Sequence, residues 1–334
     1  MEHSIHPGRV KGVDSSVVNS WGRLRKYLFG LSTEESSFAR RGFHQSQVKT
    51  RRHLERIGST FLHGYNVALE RDEPEELALQ LNGIEAEFRG FAFEGAAMAL
   101  TLLDYLTPWR RDRLQAFRSG PGAAHVYMVH VGVGWALARL HSRLEPSLAR
   151  LDPLLRWLAV DGYGFHQGYF HRHRYIEKQL IPGRLVGYAR RVFDQGLGRS
   201  LWFVNGADVV RIGAAIAAFA PTRRSDLWSG VGLACAYAGG CDRATIEAVR
   251  TAAGLDAHHL AQGVAFAAKT RQRAGNPAEH TAIACEIICG LSVDAAAQVT
   301  DAALEQLPVD GKEPAYQVWR FRIQSQFAKG VAGA

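Results

Sequence analysis

Cysteine is scarce and one-sided. The 334-residue chain has four, Cys235, Cys241, Cys285 and Cys289, all in its last third. Cys285 and Cys289 are one helical turn apart, but the paired CxxC spacing of a strong zinc site is missing. They are therefore expected to be small buried hydrophobes in a reducing compartment, and no metal site is assigned. Long apolar runs are absent too: nothing approaches the roughly 18 residues that a membrane span needs. The opening MEHSIHPGRVKGVDSS has no apolar stretch of the signal-peptide kind, so the expected location is cytoplasmic. Charge of one sign never accumulates. The excess of +8 is dispersed in clusters such as Arg51-Arg52, Arg110-Arg111, His171-Arg172-His173-Arg174 and Arg223-Arg224. Without five to eight consecutive cations, a nucleic-acid partner is not expected. These residues suit solvated faces, with steering of an anionic carrier or substrate as a second use. GxSxG, the P-loop, GxGxxG after a strand, HExxH and the EF-hand loop are missing. The aspartate-rich DDxxD and DxDD runs of polyene cyclases are missing as well. No cofactor is named by any of this.

What is present is repetition. Apolar residues make up 47% and charged residues 22%, ordinary for a globular chain. Within it, FAFEGAAMALTLL, MVHVGVGWALARL, LAVDGYGFHQGYF, VFDQGLGRSLWFV, LWSGVGLACAYAGG and LAQGVAFAAKTRQ share a polar residue, a glycine and then small or apolar residues. The anchor glycines are Gly95, Gly132, Gly162, Gly196, Gly230 and Gly263, spaced by 37, 30, 34, 34 and 33 residues. A degenerate seventh copy is expected in AIACEIICG. Between anchors lie second helical patterns, with Asp208 and Asp242 as N-terminal caps and Pro221 and Gly254 as stops. The period is that of a tetratricopeptide-like hairpin. Alternating β-branched runs are scarce, so no large sheet is expected.

The expected fold is therefore all-α: a helical-hairpin solenoid of about six to seven repeats, with closure towards an α/α toroid as a variant. Residues 1–40 read as an arm with one short helix, 41–328 as a single repeat domain and 329–334 as a frayed tail. EPAYQVWRFRIQSQF is expected to cap the stack. A helix-interior glycine costs roughly 1 kcal/mol against alanine. Six at one repeat position point either to close approach of a neighbouring helix or to breaks in the helix.

The position before each anchor glycine holds Glu94, Val131, Asp161, Gln195, Ser229 and Gln262, five of them polar in otherwise apolar helices. Equivalent repeat positions project in equivalent directions, so these side chains form a column. His130, Asp194 and His166 lie beside it. The aromatic surroundings, including Phe93, Tyr163, Trp202 and Trp228, resemble an apolar pocket with a few convergent polar groups. Bracing between helices is the competing role, because buried polar groups are normally satisfied by their neighbours. As a site, the column supplies Glu94, Asp161, His166 and Asp194 for proton transfer. His130, Gln195, Ser229, Gln262, Phe93, Tyr163, Trp202 and Trp228 would contact substrate. Glu94, His130, Asp161 and His166 could share a metal only if neighbouring hairpins brought them together.

FRGFAFEGAAMAL, HVYMVHVGVGWALARL, DPLLRWLAVDGYGFHQGYF, VFDQGLGRSLWFVNG, DLWSGVGLACAYAGG and QGVAFAA, taken in order, resemble the bacterial family catalogued as domain of unknown function 1702, over about residues 20–328. Members of that family often accompany enediyne polyketide synthase gene clusters. The resemblance implies a biosynthetic accessory protein, leaning towards an enzyme, that processes a linear conjugated polyene or polyyne. Its implied partners are a hydrophobic small molecule and a polyketide synthase or sister biosynthetic proteins. It carries over no catalytic residues. A non-catalytic scaffold binding a partner along a concave face is the alternative.

Overall fold

The computed structural model describes residues 20–331 except 108, 111 and 141–143; the N-terminal arm before residue 20 and the tail after 331 lie outside the described residues. The described residues form helices and no strands. In chain order these are α1 (Ser20–Phe29), α2 (Phe38–Arg41), α3 (Val48–Glu70), α4 (Pro74–Asn82), α5 (Ala86–Leu106) and α6 (Arg113–Ser119). Next come α7 (Val126–Leu140), α8 (Leu144–Leu148), α9 (Arg156–Phe170), α10 (Tyr188–Val204), α11 (Val209–Ala218) and α12 (Pro221–Ala238). The chain ends with α13 (Arg243–Ala253), α14 (Ala257–Ala274), α15 (Glu279–Ala284), α16 (Val293–Ala302) and α17 (Ala315–Val331).

The long helices α3, α5, α7, α9, α10, α12 and α14 pack one against the next, with shorter return elements between them. They run the same way. Arg191 meets Asp226 and Ser225 meets Asp256 near their N-terminal ends, while Trp202 donates to the Gly239 carbonyl and Arg271 to the Tyr237 carbonyl near their C-terminal ends. Local signals set the ends. The Asp208 carboxylate accepts from the Arg211 N–H at 3.1 Å and Asp242 from the Thr245 N–H at 2.9 Å. Gly254 takes φ +51° after α13, where a side chain would be strained.

The anchor glycines lie inside helices, and each touches the helix before it. A Cβ on Gly132 would stand 2.1 Å from the Glu94 carbonyl oxygen, on Gly162 2.1 Å from that of Val131, and on Gly196 2.0 Å from that of Asp161. The series continues with Gly230 on Gln195 and Gly263 on Ser229. The glycine two residues further on touches the following helix, as Gly134 does at Ala159 and Gly198 at Leu227. The GxG pairs thus have a packing role, because only a residue without Cβ admits a neighbouring backbone on both sides.

One superhelical turn brings the beginning of the stack back to its end. His53 donates from Nε2 to the Ala238 carbonyl at 2.7 Å, Arg271 to the Glu87 carbonyl at 2.7 Å, and the Phe91 and Tyr237 rings lie 5.1 Å apart. α1 belongs to the same body, through two 2.9 Å bonds from Arg25 to Asp72.

Two expectations need correction. AIACEIICG is no seventh anchor: it forms α15 and a π-helical turn, on the return side between α14 and α16. The last helix is more than an end cap. α17 lies over α14 and places Tyr316 beside Gln195, Arg320 Nη2 2.9 Å from Asp226, and Arg320 Nε donating to Gln262 at 3.0 Å. These α17 side chains recur every fourth position, on one helix face that is sealed against the polar column.

Candidate active site

The column residues point inward and all are buried, but they do not form one continuous site. Asp161 accepts from Gln195 Nε2 at 2.8 Å and from Arg199 Nη1. Ser229 donates to Gln262 Oε1 at 2.9 Å. These are bonds between successive helices, so Gln195, Ser229 and Gln262 brace the stack. His130 is also pinned: its Nδ1–H donates to the Val126 carbonyl at 2.7 Å and its Nε2 accepts from Arg118 at 3.3 Å. Burial lowers its pKa to about 4, so it is neutral at pH 7. Asp194 is held by Arg223 at 2.8 Å, and Arg223 also reaches the Gln179 carbonyl. It stands outside the cluster described next.

Glu94, on α5, is the exception. It is 1% exposed, and its Oε1 makes no well-formed hydrogen bond, although the Trp135 indole N–H lies close enough to favour the charged form. Burial raises its pKa to about 8; the Arg199 charge offsets part of that, the Asp161 charge adds to it, and the Trp135 indole N–H lowers it slightly. The charge balance explains the direction. A single guanidinium, Arg199, lies among two carboxyls, and it is bonded to Asp161. Burial alone would lower the pKa of Arg199, but Asp161 and Glu94 outweigh it and the value is raised. One cation neutralises one anion, so the second carboxyl keeps its proton.

Glu94 lines a narrow, mostly apolar slot between the start of the stack and α7–α10. Seven aromatic residues, Phe61, Phe91, Trp135, Phe165, Tyr169, Phe170 and Phe203, make up much of the wall. Phe61 and Trp135 rings are 4.6 Å apart, Trp135 and Phe165 5.1 Å, and Phe165 and Phe203 5.3 Å. About 50 Å³ is free, far below the roughly 300 Å³ of an ordinary ligand pocket. A second apolar gap of about 30 Å³ is lined by Arg199, Met128, Tyr237 and Trp319.

Next to the slot lies a wider, open cavity, the vestibule, of about 1150 Å³; Leu31, Glu35, Arg139, Tyr169 and Phe170 line both. His166 lines this cavity, with its ring 5.5 Å from Trp135 and 4.7 Å from Phe170. Tyr163 lines the vestibule as well. The remaining expected contacts turn elsewhere: Phe93 stacks on His125 at 4.1 Å, Trp202 bonds the Gly239 carbonyl, and Trp228 is packed in the core. The reason is helical phase. Phe91 and Phe93 are 200° apart on α5, so only one can face the slot. Among the described residues no three His, Cys, Asp or Glu side chains gather as metal ligands, so Glu94, His130, Asp161 and His166 do not form a joint set.

Arg199, Trp135 and Phe61 escaped the sequence reading. Arg199 had a signal: a lone cation in the mostly apolar stretch GLGRSLWF, one turn after Gln195. The class these features define is an all-helical, glycine-packed superhelix with a buried carboxyl of raised pKa in the lining of an aromatic slot. The chain belongs to the family described as "Protein of unknown function (DUF1702)", whose profile matches residues 20–327, nearly its whole length. No curated protein and no solved structure matches it. No single helix among the described residues is long and apolar enough to cross a membrane.

Proposed function

We propose that this protein is an enzyme of polyketide biosynthesis that takes a linear, conjugated hydrocarbon chain into the aromatic slot and uses Glu94 as a proton donor. The observation that carries this reading is a buried carboxylic acid, its pKa raised to about 8, in the lining of a slot walled by aromatic rings. Flat π surfaces suit a flat unsaturated chain, and an acid whose pKa sits near neutrality suits proton transfer. The substrate class, a polyene or polyyne intermediate, is the one that the resemblance to an enediyne-associated family implies. A peptide-binding scaffold is less favoured, since the inner face that would receive a peptide is buried and α17 is bonded across part of it.

The test is incubation of the purified protein with a synthase-derived linear polyene. The wild type is expected to bind and deplete it, and Glu94→Gln to bind without depleting it. A folded wild type that neither binds nor converts the polyene, or a Glu94→Gln variant that converts it at the normal rate, would overturn the proposal.

A further inference from the structure

A separate cavity lies against another side of α7. Val133 and Leu137, one turn apart, line it, whereas Trp135 lies about 200° round the helix from Val133 and lines the slot. About 480 Å³ is free there, within the roughly 300–1,000 Å³ of small-molecule sites. Leu114 on α6 adds to the apolar lining, and Arg118, one turn further along α6, supplies a cation. Two neutral groups hold that guanidinium. Its Nη2 donates to Gln115 Oε1 and its Nη1 to His130 Nε2 at 3.3 Å. The tautomer of His130 is fixed, because Nδ1 lies 2.7 Å from the Val126 carbonyl and must carry the proton there. Nε2 is thereby left as an acceptor, and burial lowers the pKa of the ring to about 4. The root of Arg118 is firm as well, since the adjacent Phe117 is buried and stacks on Phe93 at 5.4 Å. The acids nearby are engaged elsewhere. Asp104, in the lining, accepts from the Arg113 and Leu114 N–H groups at 3.3 and 3.1 Å and lies 3.4 Å from Arg113 Nη1. Asp152 accepts from the Leu154 and Leu155 N–H groups, and Asp112 and Glu145 are exposed and outside the lining. None of the four is within ion-pair distance of Arg118, and Arg150 adds a second cation to the wall.

We infer that this cavity is a second ligand site, which takes a small carboxylate with a hydrocarbon body, its acid group on Arg118 and its chain against Leu114, Val133 and Leu137. An arginine braced by an acid would have its charge cancelled before the ligand arrived. Braced by an amide and a neutral imidazole, it is oriented in advance and keeps its charge for a carboxylate. His130, which has no part in the slot, is then a positioning residue for Arg118. The inference goes beyond the slot reading and does not depend on it, since the two cavities share no lining residue.

Octanoate and octan-1-ol, alike in chain and different in charge, serve as probes in calorimetry on the full-length protein at neutral pH. Octanoate is expected to bind tenfold or more tighter than the alcohol. Arg118→Gln should bring the two within twofold of each other. Thr101→Trp, which fills the cavity from α5, should weaken octanoate tenfold or more. His130→Phe keeps a ring of similar size and removes the acceptor, so it should cost at least threefold of the preference for octanoate, a selective loss that a merely structural role would not produce. Octanoate bound no tighter than octan-1-ol, or a preference that survives Arg118→Gln, would overturn the inference. Tight octanoate binding that persists in Thr101→Trp would put the acid in another cavity and overturn it too. A full preference in folded His130→Phe would remove the positioning role. Circular dichroism identifies any variant that fails to fold, and Arg118→Gln, a change at a half-buried residue, decides the matter by itself if the others do.

Discussion

Replacing Glu94 by Gln should make the protein more stable, with a gain that depends on pH. The carboxyl has a pKa of about 8 in the fold against 4.5 for the unperturbed group. Between those values the folded chain binds a proton that the unfolded chain has lost, so wild-type stability falls as pH rises through the window. Each pH step in it costs about 1.4 kcal/mol, which accumulates to about 3 kcal/mol at pH 7 and about 5 kcal/mol above pH 8. Gln has the size of the protonated acid and does not titrate. The two proteins should therefore be equally stable near pH 4, and the variant should be ahead by about 3 kcal/mol at pH 7. Other groups titrate in this range. His125, His130 and His280, with pKa values lowered to about 4 by burial, lose stability as pH falls from 6.5. They do so in both proteins and cancel in the difference. Urea unfolding followed by tryptophan fluorescence at pH 4, 7 and 8.5 measures the gap. A difference that stays flat with pH, or a variant weaker than wild type at pH 8.5, would show that Glu94 is ionised in the fold and that Arg199 serves both carboxyls.

Other outcomes follow from the same geometry. Gly196→Ala puts a Cβ 2.0 Å from the Asp161 carbonyl and should cost several kcal/mol, about 3 or more, because backbone must move. Gly213→Ala in α11 meets nothing within 4 Å and should gain about 0.5–1 kcal/mol, a contrast that thermal melts of the pair would check. Arg199→Met leaves the Asp161 charge buried and unpaired and should cost about 3–5 kcal/mol; adding Asp161→Asn should recover part of it in denaturant titrations, and no recovery would mean that the guanidinium contributes mainly through packing. Asp194→Asn frees Arg223 and should lower the melting temperature without changing polyene binding in the slot, because that pair lies outside the cluster; a binding defect in a well-folded variant would place Asp194 in the site after all.

Much of the architecture was legible in the chain because it is written at short range. The spacing near 34 residues, the helical period within each segment and the Asp208 and Asp242 caps each need only a few neighbouring residues. The inward direction of the column was legible for the same reason, since repeats in register present equivalent positions alike. AIACEIICG misled because small residues and a terminal glycine occur both in an anchor helix and in the return turn it actually forms. EPAYQVWRFRIQSQF read as an end cap because the partners of Arg320, Asp226 on α12 and Gln262 on α14, are far away in the chain.

By itself, then, the sequence determined an all-helical stack with glycines where helices touch and polar side chains turned inwards. Only the tertiary structure decided which of those side chains meet. Glu94, Asp161 and Arg199 come from three different helices, and Phe91 rather than Phe93 faces the slot. Such choices depend on the small rotation added at every repeat and on the phase of each helix about its axis. Those quantities accumulate over the whole superhelical turn, so a local pattern does not encode them. The raised pKa of Glu94 is tertiary as well, because it is set by burial and by an arginine already bonded to Asp161.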